Sequence, residues 1–134
     1  MRVVLDTNVV VSGLLRPDGV PGLVVDYLFS GAFRALYDDR ILGEYREVLA
    51  RPRLDIARED AAEVLAYLEA NGVAVRARPL SLALPDPDDL PFIEVAVAGN
   101  AAAVVTGNLA HFPAEVLPVP VWSPRVFLGV LEGE

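Results

Sequence analysis

The sequence lacks cysteine and lysine, and it contains a single histidine, His111. The absence of cysteine excludes a disulfide framework, a thiolate metal site and a cysteine nucleophile. One histidine is too few for a histidine-rich zinc site or for phosphotransfer between paired histidines. No apolar run reaches the roughly 18 residues of a membrane helix, and Asp6 comes before any signal-peptide core could form. We therefore expect a cytoplasmic protein that does not associate with a membrane.

The chain is short, apolar and acidic. Its 134 residues are 54% hydrophobic and 22% charged, which excludes intrinsic disorder and predicts one domain over residues 1–134. All 11 basic residues are arginine, and the net charge is −8. Domains that bind nucleic acid by bulk attraction are usually basic. Either the partner is not a nucleic acid, or the acidic groups hold metal ions that reverse the local charge.

Apolar periodicity predicts strands that alternate with helices. Strands are predicted at 2–5, 33–37, 73–78, 102–106 and 118–122, and helices at 9–15, 22–29, 40–50, 59–71, about 88–99 and 124–131. Nearly wholly apolar strands in this alternation are typical of an α/β fold, a three-layer α/β/α sandwich with a mostly parallel central sheet. Sites in such folds lie beyond the carboxyl ends of the strands.

Polar clusters fall at the predicted strand exits. Residues 6–8 follow the first strand, residues 106–108 end the fourth, and residues 86–89 open a helix with three aspartates. Glu44 lies about one turn into the helix after the second strand. Parallel strands would bring these groups to one edge of the sheet, where carboxylates repel one another unless they are protonated or bind a cation. Oxygen ligands select hard ions, so the pattern indicates Mg²⁺ or Mn²⁺.

Ordinary structural roles for the same residues stay open at this point. Asp6 is suited to capping the helix that follows it. Glu44 lies four residues after Arg40, the spacing of a surface ion pair. The carboxylates before Leu90 are favoured by the helix dipole with or without a metal. His111 is interpreted as a surface loop residue without a catalytic role.

Four strings, in order along nearly the whole chain, resemble the motifs of PIN-domain ribonucleases. The first is Asp-Thr-Asn-Val at 6–9 with Ser12 one turn later, and the second is the acidic helix and Arg-rich turn at 44–54. The third covers residues 86–96 and the fourth is Val-Thr-Gly-Asn at 105–108. One such string alone is a weak signal, whereas four in order are fairly specific.

The resemblance implies a metal-dependent endoribonuclease that uses Mg²⁺ or Mn²⁺. Asp6, Glu44 and Asp89 take the catalytic and metal-binding positions, and Asn108 stands where many members carry a fourth carboxylate. The implied reaction is in-line attack of water on an RNA phosphodiester, without a covalent enzyme intermediate. Supporting or alternative ligands, on the same basis, are Asp88, Asp86, Asn8, Ser12 and Thr106.

Partners follow from the same resemblance and from composition. Members of the VapC type are toxins that pair with an antitoxin, which is the partner we expect besides RNA. Arg51 and Arg53 are candidate phosphate contacts, the alternative being a solvated Arg-rich turn. Apolar helix residues exceed what so small a core should absorb, which predicts a homodimer, a higher oligomer or an antitoxin groove. These residues are Leu14, Leu15, Leu23, Val24 and Leu28.

Two alternative functions remain open at the level of sequence. Asn108 is compatible with a PIN-like binding module that has lost turnover, since an amide brings no charge to a metal. A phosphatase of the haloacid-dehalogenase type also begins with an aspartate at the end of a strand. That class requires a second aspartate two residues later and a lysine, whereas this chain has Asn8 there and no lysine.

Overall fold

A computed structural model describes residues 1–133 and contains a five-stranded sheet flanked by helices. The strands are β1 (Arg2–Leu5), β2 (Arg34–Tyr37), β3 (Val73–Ala74), β4 (Ala103–Val105) and β5 (Val121–Trp122). The α-helices in this part of the chain are α1 (Thr7–Leu15), α2 (Val20–Phe29), α3 (Asp39–Leu49), α4 (Arg58–Asn71), α5 (Leu90–Ala98) and α6 (Pro124–Leu131). None of these helices has the length and apolarity needed to cross a bilayer.

The strand order is β3-β2-β1-β4-β5, and every neighbouring pair is parallel. The predicted α/β sandwich on a mostly parallel sheet is therefore confirmed. The chain moves outward from β1 through β2 to β3 and then crosses back to β4 on the other side of β1. This reversal makes the carboxyl ends of β1 and β4 the topological switch point, where sites of such sheets usually lie.

The core lies around the central strands, where Val3, Val4 and Leu5 of β1 are fully buried. Two residues predicted to lie on a partner-binding face, Val24 and Leu28, instead belong to this core. That prediction is wrong for them because α2 packs against both α1 and α6 and so buries more than one side. Leu15 and Leu23, in contrast, are 44% and 39% exposed.

Two strands are much shorter than predicted, whereas β2 and β4 differ from their predicted ranges by at most one residue at an end. The third was expected over 73–78, but its pairing with β2 stops at Ala74, apart from one further bond from the Val75 amide to the Tyr37 carbonyl at 2.8 Å. Pairing ends there because β2 itself ends at Tyr37 and the chain turns into α3. The last strand was expected over 118–122 but covers only the two residues of β5, since prolines 118 and 120 have no amide hydrogen to donate.

Aspartate side chains set the start of α3 and the turn before α5. Asp38 accepts a hydrogen bond from the Ile41 amide at 3.0 Å and so caps α3. The helix predicted from residue 88 begins at Leu90 and is preceded by a 3₁₀ turn over Pro87–Asp89. Asp86 starts that turn by accepting from the Asp88 amide at 2.9 Å. This turn places Asp89 directly before α5.

Candidate active site

A polar cavity of about 400 Å³ opens at the carboxyl ends of β1 and β4. It is lined by residues from four separate parts of the chain, which the parallel sheet brings to one edge. Of the residues singled out in the sequence, all but the fully buried Thr106 line this cavity. They are Asp6, Asn8, Ser12, Glu44, Arg51, Arg53, Asp86, Asp88, Asp89 and Asn108.

Asp6 is held by the neighbouring strand rather than by its own helix. The Thr106 hydroxyl donates to Asp6 Oδ2 at 2.7 Å and accepts from the Asn108 amide at 3.0 Å. Asp6 occupies the N-cap position of α1, yet its side chain makes no capping hydrogen bond. Burial raises the pKa of the Asp6 carboxyl above its usual value, and the Thr106 hydroxyl counteracts part of that rise. Asp6 is therefore a buried, oriented carboxylate and not the helix cap that the sequence left open.

The exits of β1 and β4 are also joined through a side-chain amide. Asn8 Oδ1 accepts from the Gly107 amide at 3.1 Å. With the bond between Thr106 and Asp6, this contact fixes the spacing of the two loops. Asn108 follows immediately and lines the cavity.

Glu44 is oriented toward Asp6 by contacts at the start of α1. The Thr7 hydroxyl donates to Glu44 Oε2. The adjacent Tyr45 is fully buried, and its hydroxyl donates to the Leu5 carbonyl, which holds α3 against the end of β1. The ion pair between Glu44 and Arg40 that the spacing allows does not form. Arg40 turns the other way because Asp38 and Glu94 both lie within 2.8 Å of it.

Asp89 is the most perturbed carboxylate of the cavity. Burial first, and then the negative charges of Asp6 and Asp86, raise the pKa of Asp89 from 3.8 to about 6. Desolvation and like charges both disfavour the ionised carboxyl, and a bound cation would relieve both. The ionised form of Asp89 is therefore disfavoured in this cavity, and either protonation or a cation would relieve the repulsion.

His111 lies in a surface loop, as interpreted from the sequence, and it also reaches the wall of the cavity. It ends a 3₁₀ turn over Leu109–His111 and lines the cavity, with Nδ1 at 3.5 Å from Asp89 Oδ2. His111, Asp86 and Asp89 each offer one ligand atom, and these three atoms lie within 4.8 Å of one another. The contact with Asp89 joins residues far apart in the chain, so apolar periodicity and local spacing do not reveal it. The feature of the sequence that could have indicated a place for His111 at this site is its position three residues after Asn108, just beyond a strand.

The two arginines differ in their surroundings. Arg51 lines the cavity and pairs with Glu47 at 2.9 Å, an exposed pair one helical turn apart. Arg53 lines the same cavity and forms no ion pair within residues 1–133. Arg53 is therefore the better placed of the two to meet a negatively charged ligand.

The sequence of this chain matches a known protein family. Residues 2–110 match the PIN domain. The chain belongs to the PIN domain family. A relative of this PIN domain is an uncharacterized protein of Methanocaldococcus jannaschii, 32% identical over 111 residues that cover 81% of this chain and 71% of the relative.

The fold of this PIN domain is similar to a solved structure described as VapBC2 from Rickettsia felis bound to a DNA fragment from their promoter. The TM-score is 0.62, with 16% identity, and the match covers 92% of this chain and 98% of the other. At that identity the likeness concerns the fold. The family assignment leaves the phosphatase alternative without support.

Proposed function

We propose that this PIN domain is a metal-dependent endoribonuclease and the toxin of a type II toxin–antitoxin pair. PIN domains are generally metal-dependent nucleases, which supports the enzymatic part. The fold likeness to a VapBC structure supports the toxin part.

One observation carries the proposal. Asp6, Glu44 and Asp89 come from three elements and line one cavity, and none of them pairs with an arginine within residues 1–133. Gathering carboxylates that no arginine neutralises in a partly buried site costs free energy unless a cation offsets the repulsion. If these carboxylates served only the stability of the fold, an arginine side chain would be expected to neutralise them.

The residues present fit a hard divalent cation. Carboxylates and the Asn108 amide oxygen are the ligand types that Mg²⁺ and Mn²⁺ take, and Asp6, Glu44, Asp89 and Asn108 would hold the ion. A divalent ion bound there would neutralise phosphate charge and make water a better nucleophile. Thr106 and Thr7 orient Asp6 and Glu44 by donating to their carboxylates. Asp86, Asp88, Asn8 and Ser12 support this set or supply alternative ligands.

Arg53, with Arg51 beside it, would contact RNA phosphates next to this acidic set. Arg53 is free of carboxylate partners among the described residues. Arg51 would exchange Glu47 for a phosphate at little cost, because an exposed pair contributes only about 0–1 kcal/mol. A cation in the cavity and two arginines at its rim would explain how a protein with a net charge of −8 binds RNA, which is itself negatively charged.

The protein partners belong to the same proposal. An antitoxin and a second copy of the chain are the expected partners, and the exposed Leu15 and Leu23 are apolar surface available to them. Growth arrest on expression in a bacterial host, relieved by co-expression of a small neighbouring reading frame, would support the toxin assignment. The absence of arrest by an RNA-cleaving protein would contradict it.

The enzymatic proposal is tested by cleavage of mixed RNA with Mn²⁺ or Mg²⁺, with mapping of the product ends. We expect cleavage that stops in chelator and falls roughly a thousandfold or more in Asp6→Asn, because the site loses a charged ligand. Asp18→Asn, an exposed loop residue that does not line the cavity, is the matched control and should retain activity.

Full activity in chelator or in Asp6→Asn would refute the proposal. RNA binding without cleavage in either metal would favour a binding module that has lost turnover. Thermal unfolding separates these cases further, since a true metal site raises the melting temperature with Mn²⁺ concentration.

A further inference from the structure

We propose that His111 is a ligand of the divalent metal and supplies a nitrogen donor from the loop in which Asn108 replaces a carboxylate. The inference rests on the proposed function, because it assumes a metal centre in this cavity. It adds that the centre is built from mixed oxygen and nitrogen donors, with Asp86 and Asp89 next to the imidazole. It also predicts which metals the site prefers.

The geometry brings the three side chains to one point. One ligand atom from each of Asp86, Asp89 and His111 lies within 4.8 Å of the others. Donors that share one ion at roughly 2.1 Å are about 3 Å apart when adjacent and about 4 Å apart when opposite. Small side-chain movements are therefore enough to bring all three onto one ion.

The contact between His111 and Asp89 is not explained by a direct hydrogen bond. The distance from Nδ1 to Asp89 Oδ2 is 3.5 Å, longer than the 2.7–3.2 Å usual for an N–H group donating to oxygen. The second carboxylate, Asp86, faces the same point. The contact is an ion pair when the imidazole is protonated, and at these separations the two carboxylates and the imidazole also leave room for a metal ion between them.

The segment after β4 explains how the imidazole reaches the cavity. The Asn108 amide is bound to the Thr106 hydroxyl, so the loop starts from a fixed point beside Asp6. The 3₁₀ turn over Leu109–His111 then brings His111 onto the cavity wall. The same loop thus offers a neutral amide oxygen from Asn108 and an imidazole nitrogen from His111, and no carboxylate.

A nitrogen donor changes metal preference. Imidazole suits transition ions, whereas Mg²⁺ prefers oxygen ligands and gives up water reluctantly. His111 should therefore strengthen the binding of Mn²⁺ and Co²⁺ more than that of Mg²⁺. His111 therefore changes which divalent metal the site prefers, and not whether the site binds one.

Calorimetric titration with Mn²⁺, Co²⁺ and Mg²⁺ tests the selectivity in wild type and His111→Ala. We expect the Kd for Mn²⁺ and Co²⁺ to rise by roughly tenfold or more, and that for Mg²⁺ by less than about threefold. His111 is 43% exposed in a surface turn, so its replacement should leave the fold intact. Leu109→Ala, in the same turn and 51% exposed, is the matched control and should leave all three affinities unchanged.

A spectroscopic measurement on the wild type needs no variant. Because the chain has one histidine, an isotopically labelled imidazole gives a single assignable set of nitrogen signals. With a spin-active cadmium isotope as the probe ion, we expect a direct coupling between cadmium and one imidazole nitrogen. Such a coupling arises only through a bond, so mere proximity of His111 to the ion would not produce it.

The outcomes separate this inference from the proposed function. Unchanged affinities in His111→Ala, or an uncoupled imidazole in the cadmium-loaded protein, would overturn the role of His111. If His111 proved to have no role but Asp89→Asn lost metal binding, the proposed metal site formed by the carboxylates would still be supported. If neither Asp89→Asn nor Asp6→Asn changed metal binding, the proposed function itself would fail.

Discussion

Two regions of this PIN domain bury carboxylates in opposite ways. Glu94 on α5 is 4% exposed and fully partnered, since its oxygens accept from Arg40 at 2.7 Å and from the Leu80 amide at 2.8 Å. Asp6 and Asp89, at the cavity, have hydroxyl or imidazole neighbours and no arginine within residues 1–133. An arginine neutralises the carboxylate of the first region, whereas no arginine neutralises those of the second.

The difference separates an acid that stabilises the fold from acids kept for a ligand. Glu94 joins α5 to α3 and to the extended segment at Leu80, so its charge is used within the protein. The cavity carboxylates repel one another, and the pKa of Asp89 is raised to about 6 by burial and by that repulsion. Removal of a charge should therefore destabilise the first region and stabilise the second when no metal is bound.

The largest expected effect on stability is that of Glu94→Ala. Loss of this carboxylate leaves the Leu80 amide and one side of Arg40 without their partner, and we expect a loss of about 3 kcal/mol in the free energy of unfolding. Urea unfolding monitored by circular dichroism measures it. Glu94→Gln keeps an acceptor for the Leu80 amide and should lose about half as much. A loss below about 1 kcal/mol in Glu94→Ala would remove the contrast between the two regions.

Asp89→Asn should have the opposite effect when a chelator removes metal ions, because it should raise the free energy of unfolding. The raised pKa of Asp89 contributes stability that is complete below about pH 3.8 and is lost as pH rises through about 6. The metal-free wild type should therefore lose stability over that window relative to Asp89→Asn. At pH 7 we expect the variant to be more stable by about 1 kcal/mol, after allowance for solvent screening.

Unfolding in urea with chelator at pH 5 and pH 7 measures this difference for both proteins. Saturating Mn²⁺ at pH 7 should reverse the order, because the ion stabilises only the protein that retains its ligand. If Asp89→Asn were less stable than wild type in chelator at pH 7, the carboxylate would be part of the fold in the way that Glu94 is.

The smallest effect is expected at an exposed ion pair on the rim of the cavity, whose carboxylate lies outside both regions. Glu47→Ala removes the partner of Arg51, and because both side chains are exposed the change in unfolding free energy should stay below about 0.5 kcal/mol. Chemical denaturation checks this value. In the same variant, RNA binding should be unchanged or slightly tighter, since Arg51 is released for phosphate. A clear loss of binding would mean that Glu47 positions Arg51.

Much of the fold could be predicted because its signals are local. Apolar strands, the capping aspartate at residue 38 and the acids at strand exits all appear in short stretches of sequence. The errors occurred where a distant partner decides. The third strand is cut short by the end of β2, and Val24 is buried in a helix that packs against both α1 and α6.

The sequence by itself determined the order of strands and helices and the positions of the acids at their ends, since periodicity and capping depend on neighbours in the chain. Only the tertiary structure decided which acids are neutralised. Arg40 is paired with Glu94 and not with Glu44, and His111 faces Asp89 rather than solvent alone. Charge pairing depends on distance in space, and that distance is set by how the sheet brings separate segments together.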